Sequence, residues 1–372
     1  MKIVIDARTM GSKPSGIGMY TFYYIKELMK SKYELILLTD VIQSQEMQFV
    51  QEHKVKVIAY GTSIYRSVNV LKYFCFMREQ LRDIQPDFFW EPNILLPTQL
   101  TGYKGKTIVT IHDMFPVTHG QYFGRKYGIY FRCAFKRTIK ALDMVLYDSY
   151  ETKEIAEKLY PMLKQKKTFV QYVIVPKMEH NGDCNGQGNI ENLEEKDYFL
   201  YVGNMEKRKG VDLLLDAYDL YRKRGGNKAL ILAGKSREKD VDEKIKDITK
   251  KYNNVVYYGY VGNEDKRYLY QNCSCFLFPS KAEGFGICVI EAMNYYKPII
   301  ASNLSIFKEI AGESIMYFSL RGDTSAQLDN LCQKMLGFDL NIDRITYDMV
   351  MERYLPEQLG KKLIEILQES YC

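Results

Sequence analysis

Twelve short runs of β-branched and aromatic residues recur along this chain, with amphipathic stretches of helix length between them. That alternation constrains the fold strongly, because parallel neighbouring strands need a crossover of a dozen or more residues, usually a helix. The runs fall at 2–6, 34–39, 54–59, 88–90, 107–112 and 144–148, then at 198–203, 229–234, 255–260, 275–279, 298–302 and 315–318. Six and six predict two similar α/β domains, each a doubly wound, Rossmann-like parallel sheet. A chain of 372 residues is also longer than one core usually holds. The expected division is a first domain over 1–175, a linker and surface loop over 176–197, a second domain over 198–345, and a helical tail over 346–372 that packs back toward the first domain. The stretch 176–197, "PKMEHNGDCNGQGNIENLEEKD", is rich in Gly, Asn and acids and has no periodicity, as an interdomain connection should.

Met1-Lys2-Ile3-Val4-Ile5-Asp6 puts a carboxylate where a secretory leader needs an apolar region, and no apolar run approaches the ~18 to 20 residues of a spanning helix. The cytoplasm is therefore the expected location. The eight cysteines are scattered, and Cys273-x-Cys275 fits neither a zinc knuckle nor a redox pair, so reduced structural thiols are expected and no metal site. The net charge of +6 is uneven: residues 1–190 hold 26 basic and 18 acidic side chains, the remainder 26 and 28. Much of the excess lies in "GRKYGIYFRCAFKRTIKAL", 124–142, with six Lys or Arg and no acid. On a helical wheel Tyr127, Phe131, Ala134, Phe135, Ile139 and Leu142 share one side, and Arg125, Arg132, Lys136 and Lys140 the other. This reads either as a core-facing helix with a solvated basic back, or as a face resting on the anionic inner surface of a membrane. No nucleic-acid partner is expected.

Two glycine-rich turns follow strands. In "PSGIGMYT", Gly16-Ile17-Gly18 opens a helix whose start offers unpaired N–H groups to a phosphate. A dinucleotide fingerprint would want a third glycine at Thr21, and Asp40 is all that supports that idea; a purely structural turn also fits. In "PSKAEGFGICVIEAMNYYKP", Glu283 stands before a Gly-Phe-Gly turn and Glu291 lies within an apolar run. Eight helical residues would rise roughly 12 Å, comparable to the span from a sugar ring to a ribose across a diphosphate. One carboxylate could then hold sugar hydroxyls and the other the ribose diol, with the N–H groups of Gly284, Phe285 and Gly286 facing the charge between. The competing account is structural: Glu291 pairs with a lysine on a neighbouring helix and Glu283 caps its own.

"EGFGICVIE" resembles the E-x7-E motif of retaining glycosyltransferases with the two-domain GT-B fold, family 4. The likeness runs in order through "PSGIGMYT", "TIVTIHDMFPVTHGQYF", "DSYETKEIAEK" (similar to the family's last first-domain strand and helix), "YFLYVGNMEKRKGVDLLLDAY", "LILAGK", "VVYYGYV" and "CFLFPSKAEGFG". It covers residues 2 to about 320, weakly over 41–100. It implies two domains facing a central cleft, with a nucleotide-sugar donor (UDP, GDP or TDP) against the second, a glycan or lipid-linked saccharide acceptor against the first, and no further cofactor. Glu283 would contact the donor sugar, Glu291 the ribose, and Lys209 the diphosphate. Gly16 would let the backbone close over that diphosphate, and His112 would sit near the transferred sugar. Many members carry Arg where this chain has Asn204, so Arg208 is the candidate second cation, with Asn204 in the phosphate turn. Retention, a mannose or rhamnose donor, a metal-independent site and a role in surface polysaccharide synthesis are the expectations; a silent nucleotide-binding partner subunit and a nucleotide-sugar epimerase are the alternatives.

Overall fold

The computed structural model describes residues 1–64, 69–96, 100–178, 197–338 and 341–371. The chain divides into two units, Met1–Ile174 with Tyr354–Cys372, and Val175–Arg353. The first is built on a seven-stranded sheet: β1 (Lys2–Asp6), β2 (Glu34–Thr39), β3 (Lys56–Ala59), β4 (Phe88–Glu91), β5 (Lys106–Ile111), β6 (Met144–Tyr147) and β7 (Lys167–Val170), in the order β3-β2-β1-β4-β5-β6-β7. The second has six: β8 (Tyr198–Val202), β9 (Ala229–Ala233), β10 (Val255–Gly259), β11 (Cys275–Phe278), β12 (Ile299–Ser302) and β13 (Met316–Phe318), in the order β10-β9-β8-β11-β12-β13. All the strand pairs are parallel.

Helices cover both faces of such sheets, so central strands read as continuous apolar runs rather than alternating ones. Every residue of β8, β9 and β11 is buried. In each sheet the winding reverses once, between β1 and β4 and between β8 and β11. At such a reversal the connections leave the two strands toward opposite faces, opening a crevice at their carboxyl ends where ligands bind. The turns after β1, β4, β8 and β11 are therefore where chemistry is to be sought.

Three expectations need correction. The first sheet has a seventh strand, β7, so β6 is not its last; with a single fully buried position, β7 carries little hydrophobic signal. The tail does not begin at 346: helix Arg344–Glu352 belongs to the second unit, where the Tyr347 hydroxyl donates to the Lys297 carbonyl at 3.0 Å. Helix Pro356–Tyr371 belongs to the first, burying Leu359, Leu363, Ile366 and Leu367. It approaches helix Gly16–Leu28 so closely that a Cβ on Gly360 would lie 2.5 Å from the Glu27 Cβ. Tyr127, expected on the core side of helix Arg125–Ala141, is 44% exposed. Of the expected linker, residues 179–196 lie outside the described residues.

Candidate functional site

In the second unit the turns after β8 and β11 are fastened to each other. Lys281 N–H donates to the Arg208 carbonyl at 2.8 Å, and Arg208 Nη1 donates to the Ala282 carbonyl at 2.7 Å. Ser280, fully buried, donates from Oγ to the same Arg208 carbonyl at 3.3 Å. Gly210 makes this approach possible. Its φ is +69°, and a Cβ there would sit 1.9 Å from the Pro279 carbonyl oxygen, so no side chain fits. Arg208 is thus a clamp between the turns, with Nη2 at 3.4 Å from Glu206 Oε2 and Nη1 at 3.9 Å from Glu283 Oε2.

The clamp brings Lys209 against Glu283 across 74 positions of sequence. Lys209 Nζ donates to both carboxylate oxygens, at 2.6 and 2.7 Å, and lies 5.6 Å from the centre of the Phe278 ring. The side chains are 18% and 6% exposed, so this charge pair is largely shielded from water. Two residues expected to grip different parts of one ligand neutralise each other here.

Only Glu291 lies within helix Ile287–Asn294; Glu283 precedes it, so a helical rise of eight residues does not describe their separation. Gly286 begins the helix at φ +93°, where a Cβ would meet the Phe307 ring at 2.6 Å. No side chain caps the helix, which rules out Glu283 as its cap and leaves the positive end of the helix beside the Lys209–Glu283 pair. Phe285 is itself buried, so of Gly284, Phe285 and Gly286 only backbone can face a ligand at this mouth. Cys288, on the first turn, has its thiol pushed up to about 12, chiefly by burial, and is no ready nucleophile.

Glu291 does pair with a neighbouring helix, as the structural account required. Lys266 Nζ donates to Oε1 at 2.7 Å and the Tyr270 hydroxyl to Oε2 at 3.1 Å, both from helix Asn263–Asn272. Burial works against the Lys266 charge, and Glu291 more than offsets it, so the ammonium is held above its usual range. Glu291 is consequently fixed in position by two donors from one neighbouring helix. Asn204 is exposed after β8, its carbonyl accepting from the buried Tyr201 hydroxyl at 3.0 Å.

In the first unit, Ser15 caps helix Gly16–Leu28 by accepting from Gly18 N–H at 3.3 Å. The two glycines differ. A Cβ on Gly18 would lie 2.3 Å from the Thr9 carbonyl oxygen, whereas one on Gly16 would meet nothing within 4 Å. Packing demands Gly18 and leaves Gly16 unexplained. His112 follows β5, with Nε2 donating to the Pro92 carbonyl at 2.9 Å, Nδ1 at 3.4 Å from Asp148 Oδ2, and the Tyr20 ring edge-on at 4.8 Å. Burial would lower its pKa, but the Asp148 carboxylate and the Pro92 carbonyl more than offset that, so the imidazole binds its second proton more readily than usual. The Asp148 carboxyl is pushed up to about 6 by burial, against the pull of His112.

One cluster escaped the reading of the sequence. Where β1 and β4 end, Arg8 Nη1 and Nη2 lie 3.3 Å from the two oxygens of Glu91, and Nη1 also bonds Asp6. The Tyr73 hydroxyl donates to Asp6 at 2.7 Å. All four are buried, and two carboxylates share one guanidinium.

With this geometry in view, comparison with known proteins is informative. Residues 187–321 match the family of glycosyl transferases group 1. The matched stretch lies wholly within the second unit. The match includes Lys209, Glu283 and Glu291. O-antigen chain mannosyltransferase B of Escherichia coli is 27% identical over 244 residues, 63% of this chain and 61% of that protein. O-antigen chain mannosyltransferase RfbU of Salmonella typhimurium is 27% identical over 258 residues, 64% of this chain and 65% of that protein. The chain thus spans under two thirds of the length of these relatives. Among solved structures, Anabaena Alr3699/HepE in complex with UDP and glucose aligns over 99% of this chain and 100% of that one, with a TM-score of 0.74 at 16% identity. WaaG, a glycosyltransferase involved in lipopolysaccharide biosynthesis, aligns over 97% and 98% with a TM-score of 0.67 at 14% identity. At such identities the likeness speaks for the fold, two Rossmann-like domains of the GT-B type.

Proposed function

We propose that the two units together form a retaining hexosyltransferase that moves mannose from a nucleoside-diphosphate sugar to a glycan acceptor in surface polysaccharide synthesis. The observation that carries the reading is the bidentate Lys209–Glu283 pair at an uncapped helix mouth, with Glu291, on the same helix, held by Lys266 and Tyr270. The names of the relatives favour mannose over rhamnose.

Cleaving a glycosyl–phosphate bond leaves positive charge on the sugar and negative charge on the diphosphate. Fixed donors aimed at the diphosphate stabilise it without reorganising. Lys209 and the N–H groups of 284–286 supply that positive charge, Glu283 accepts from sugar hydroxyls, and Glu291 accepts from the ribose. Donor binding draws Lys209 from Glu283 toward the diphosphate, so the resident pair keeps both charges neutralised until the ligand arrives. Arg208 holds the turns in register, and Asn204 stands in the same phosphate turn. His112, bonded through both ring nitrogens, acts by position and charge rather than as a mobile base. No resident cofactor enters this scheme, and the protein works as a peripheral binder at the inner membrane face.

The test is incubation with GDP-mannose, UDP-glucose or TDP-rhamnose and a glycan acceptor, with the anomeric configuration of the product read by NMR. Transfer of mannose with retention is expected. An epimerised sugar without acceptor would make the protein an epimerase, and nucleotide binding with no turnover a partner subunit. Two variants sharpen the site. Glu291→Gln should weaken nucleoside-diphosphate binding about tenfold by calorimetry, as expected for one charged hydrogen bond, with little change in the rate at saturation. Gly16→Ala should leave the melting temperature unchanged, since its Cβ meets nothing, yet lower turnover; unchanged turnover would remove Gly16 from the functional residues.

A further inference from the structure

Strands β5 and β6 run parallel with Ile111 paired to Tyr147, so the next residue on each, His112 and Asp148, leaves the sheet in step with the other. This register sets an imidazole beside a carboxylate at the carboxyl edge of the sheet, where ligands of wound sheets bind. The side chains are 15% and 3% exposed, with Nδ1 3.4 Å from Asp148 Oδ2. On its other side the ring meets the Pro92 carbonyl, 2.9 Å from Nε2. A carbonyl only accepts, so Nε2 carries a proton. A neutral imidazole has a single N–H, and its Nδ1 lone pair would then face the carboxylate, two acceptors with nothing between them. The pair therefore holds one further proton, on Nδ1 or on the carboxyl.

An ordinary imidazole binds a proton more tightly than an ordinary carboxyl by about 2.5 pKa units. Burial narrows that gap by pushing Asp148 up to about 6, but the ring is itself held above its usual range, so the proton rests on Nδ1. The neighbours agree. Asp113, on the turn after β5, adds a second negative charge. Helix Gly16–Leu28 sets Tyr20 edge-on against the ring at 4.8 Å, with Tyr24 packed on Tyr20; burial pushes both phenols well above their ordinary range, so neither adds an anion. From helix Tyr150–Leu159 the Thr152 hydroxyl donates to the His112 carbonyl at 3.4 Å. His112 is the one cation among these groups, and it is the more exposed member of its pair, so the dipole points its positive end outward.

We propose that Asp148 is a positioning residue of the transfer reaction, holding a proton on His112 Nδ1 and so keeping the imidazole pinned at both nitrogens and cationic at the carboxyl end of β5. This deepens the role given to His112 above and rests on that reading. A ring held this way cannot turn and has no free nitrogen to act as a base. Its fixed charge favours negative charge developing on a leaving diphosphate without reorganisation.

The experiment follows the Cε1–H resonance of His112 by NMR in the full chain, with His112→Gln assigning it among the four histidines. In the wild type the ring should stay protonated at pH 7 and lose its proton only above the ordinary histidine value of about 6.5. In Asp148→Asn, which keeps the shape of the side chain and removes its charge, the ring should be neutral at pH 7. Mannosyl transfer by the same variant should fall at least about tenfold at that pH, because a lost carboxylate moves a neighbouring histidine by a unit or more and each unit changes the cationic fraction up to tenfold. The fall should lie in kcat, with the donor KM little changed, and the alkaline limb of the rate profile should move to lower pH. Added to His112→Gln, Asp148→Asn should lower the rate no further. A wild-type ring that titrates at or below about 6.5 would overturn the proposal with no substitution needed, so a variant that fails to fold leaves it testable. A titration that moves while transfer and its pH profile stay put would also overturn it, leaving a merely structural pair. Absence of transfer by the wild type sinks the transferase reading and the positioning role with it, whereas an ordinary titration in an active enzyme sinks the positioning role alone, so the two failures are distinguishable.

Discussion

Alanine at either Lys209 or Glu283 is expected to slow mannosyl transfer by at least ~10², the loss that follows removal of one preorganised electrostatic contact. The two should fail differently. On the proposed reading Lys209→Ala removes the cation for the leaving diphosphate, so the rate at saturation should fall more than donor affinity. On the same reading Glu283→Ala removes an acceptor for sugar hydroxyls and leaves Lys209 free to meet the diphosphate unopposed. Its affinity for the bare nucleoside diphosphate should hold or rise while transfer collapses, a split that a merely structural ion pair would not produce. Because the pair is in direct contact, the double variant should lose much less than the product of the single losses. Folding survives Lys209→Ala because Arg208 Nη1 remains 3.9 Å from Glu283, and an unshifted melting transition confirms it. Near-normal turnover in both folded variants would contradict the roles given to them.

Much of this was legible in the chain because the physics is local. Continuous runs such as "FLYV" and "CFLF" announce strands covered on both faces, and the glycines at 210 and 286 stand where the backbone turns beyond the reach of L side chains. The pair Lys266 and Tyr270 is also local, one helical turn apart on one face, but its target Glu291 lies on another helix, so spacing alone could not say what they hold. Contacts made through the sheet leave no sequence pattern. Asp148 reaches His112 only because β5 and β6 are neighbours, and Arg8 meets Glu91 across 83 positions because β1 and β4 flank the reversal of the winding. Tyr127 was misplaced for a different reason: a wheel assigns a helix one apolar arc, whereas helix Arg125–Ala141 has apolar residues on two faces, one buried and one exposed.

The Arg8 cluster leads to the largest expected effect on stability. Arg8→Met would leave Asp6 and Glu91, each 1% exposed, without a counter-charge, and breaking a buried pair by removing one partner typically costs ~3–5 kcal/mol. Chemical denaturation of the first unit, followed by the quenching environment of Trp90, should report that loss. Glu91→Gln should cost far less. Burial pushes the Glu91 carboxyl well above its usual range even though Arg8 pulls the other way, so the charge that glutamine removes is one the fold already disfavours. The sign follows from linkage: a carboxyl whose folded pKa is raised adds stability in full below its unfolded pKa, and that contribution is lost as pH rises through the folded value. The wild type should therefore lose stability relative to Glu91→Gln as pH climbs from about 4 toward neutrality, and the two curves should converge in acid. A Glu91→Gln variant as unstable as Arg8→Met at neutral pH would mean that Glu91 is ionised and supports the fold as half of a true ion pair. The cluster would then act as a fixed charge at the end of β4 rather than as a proton-sharing group.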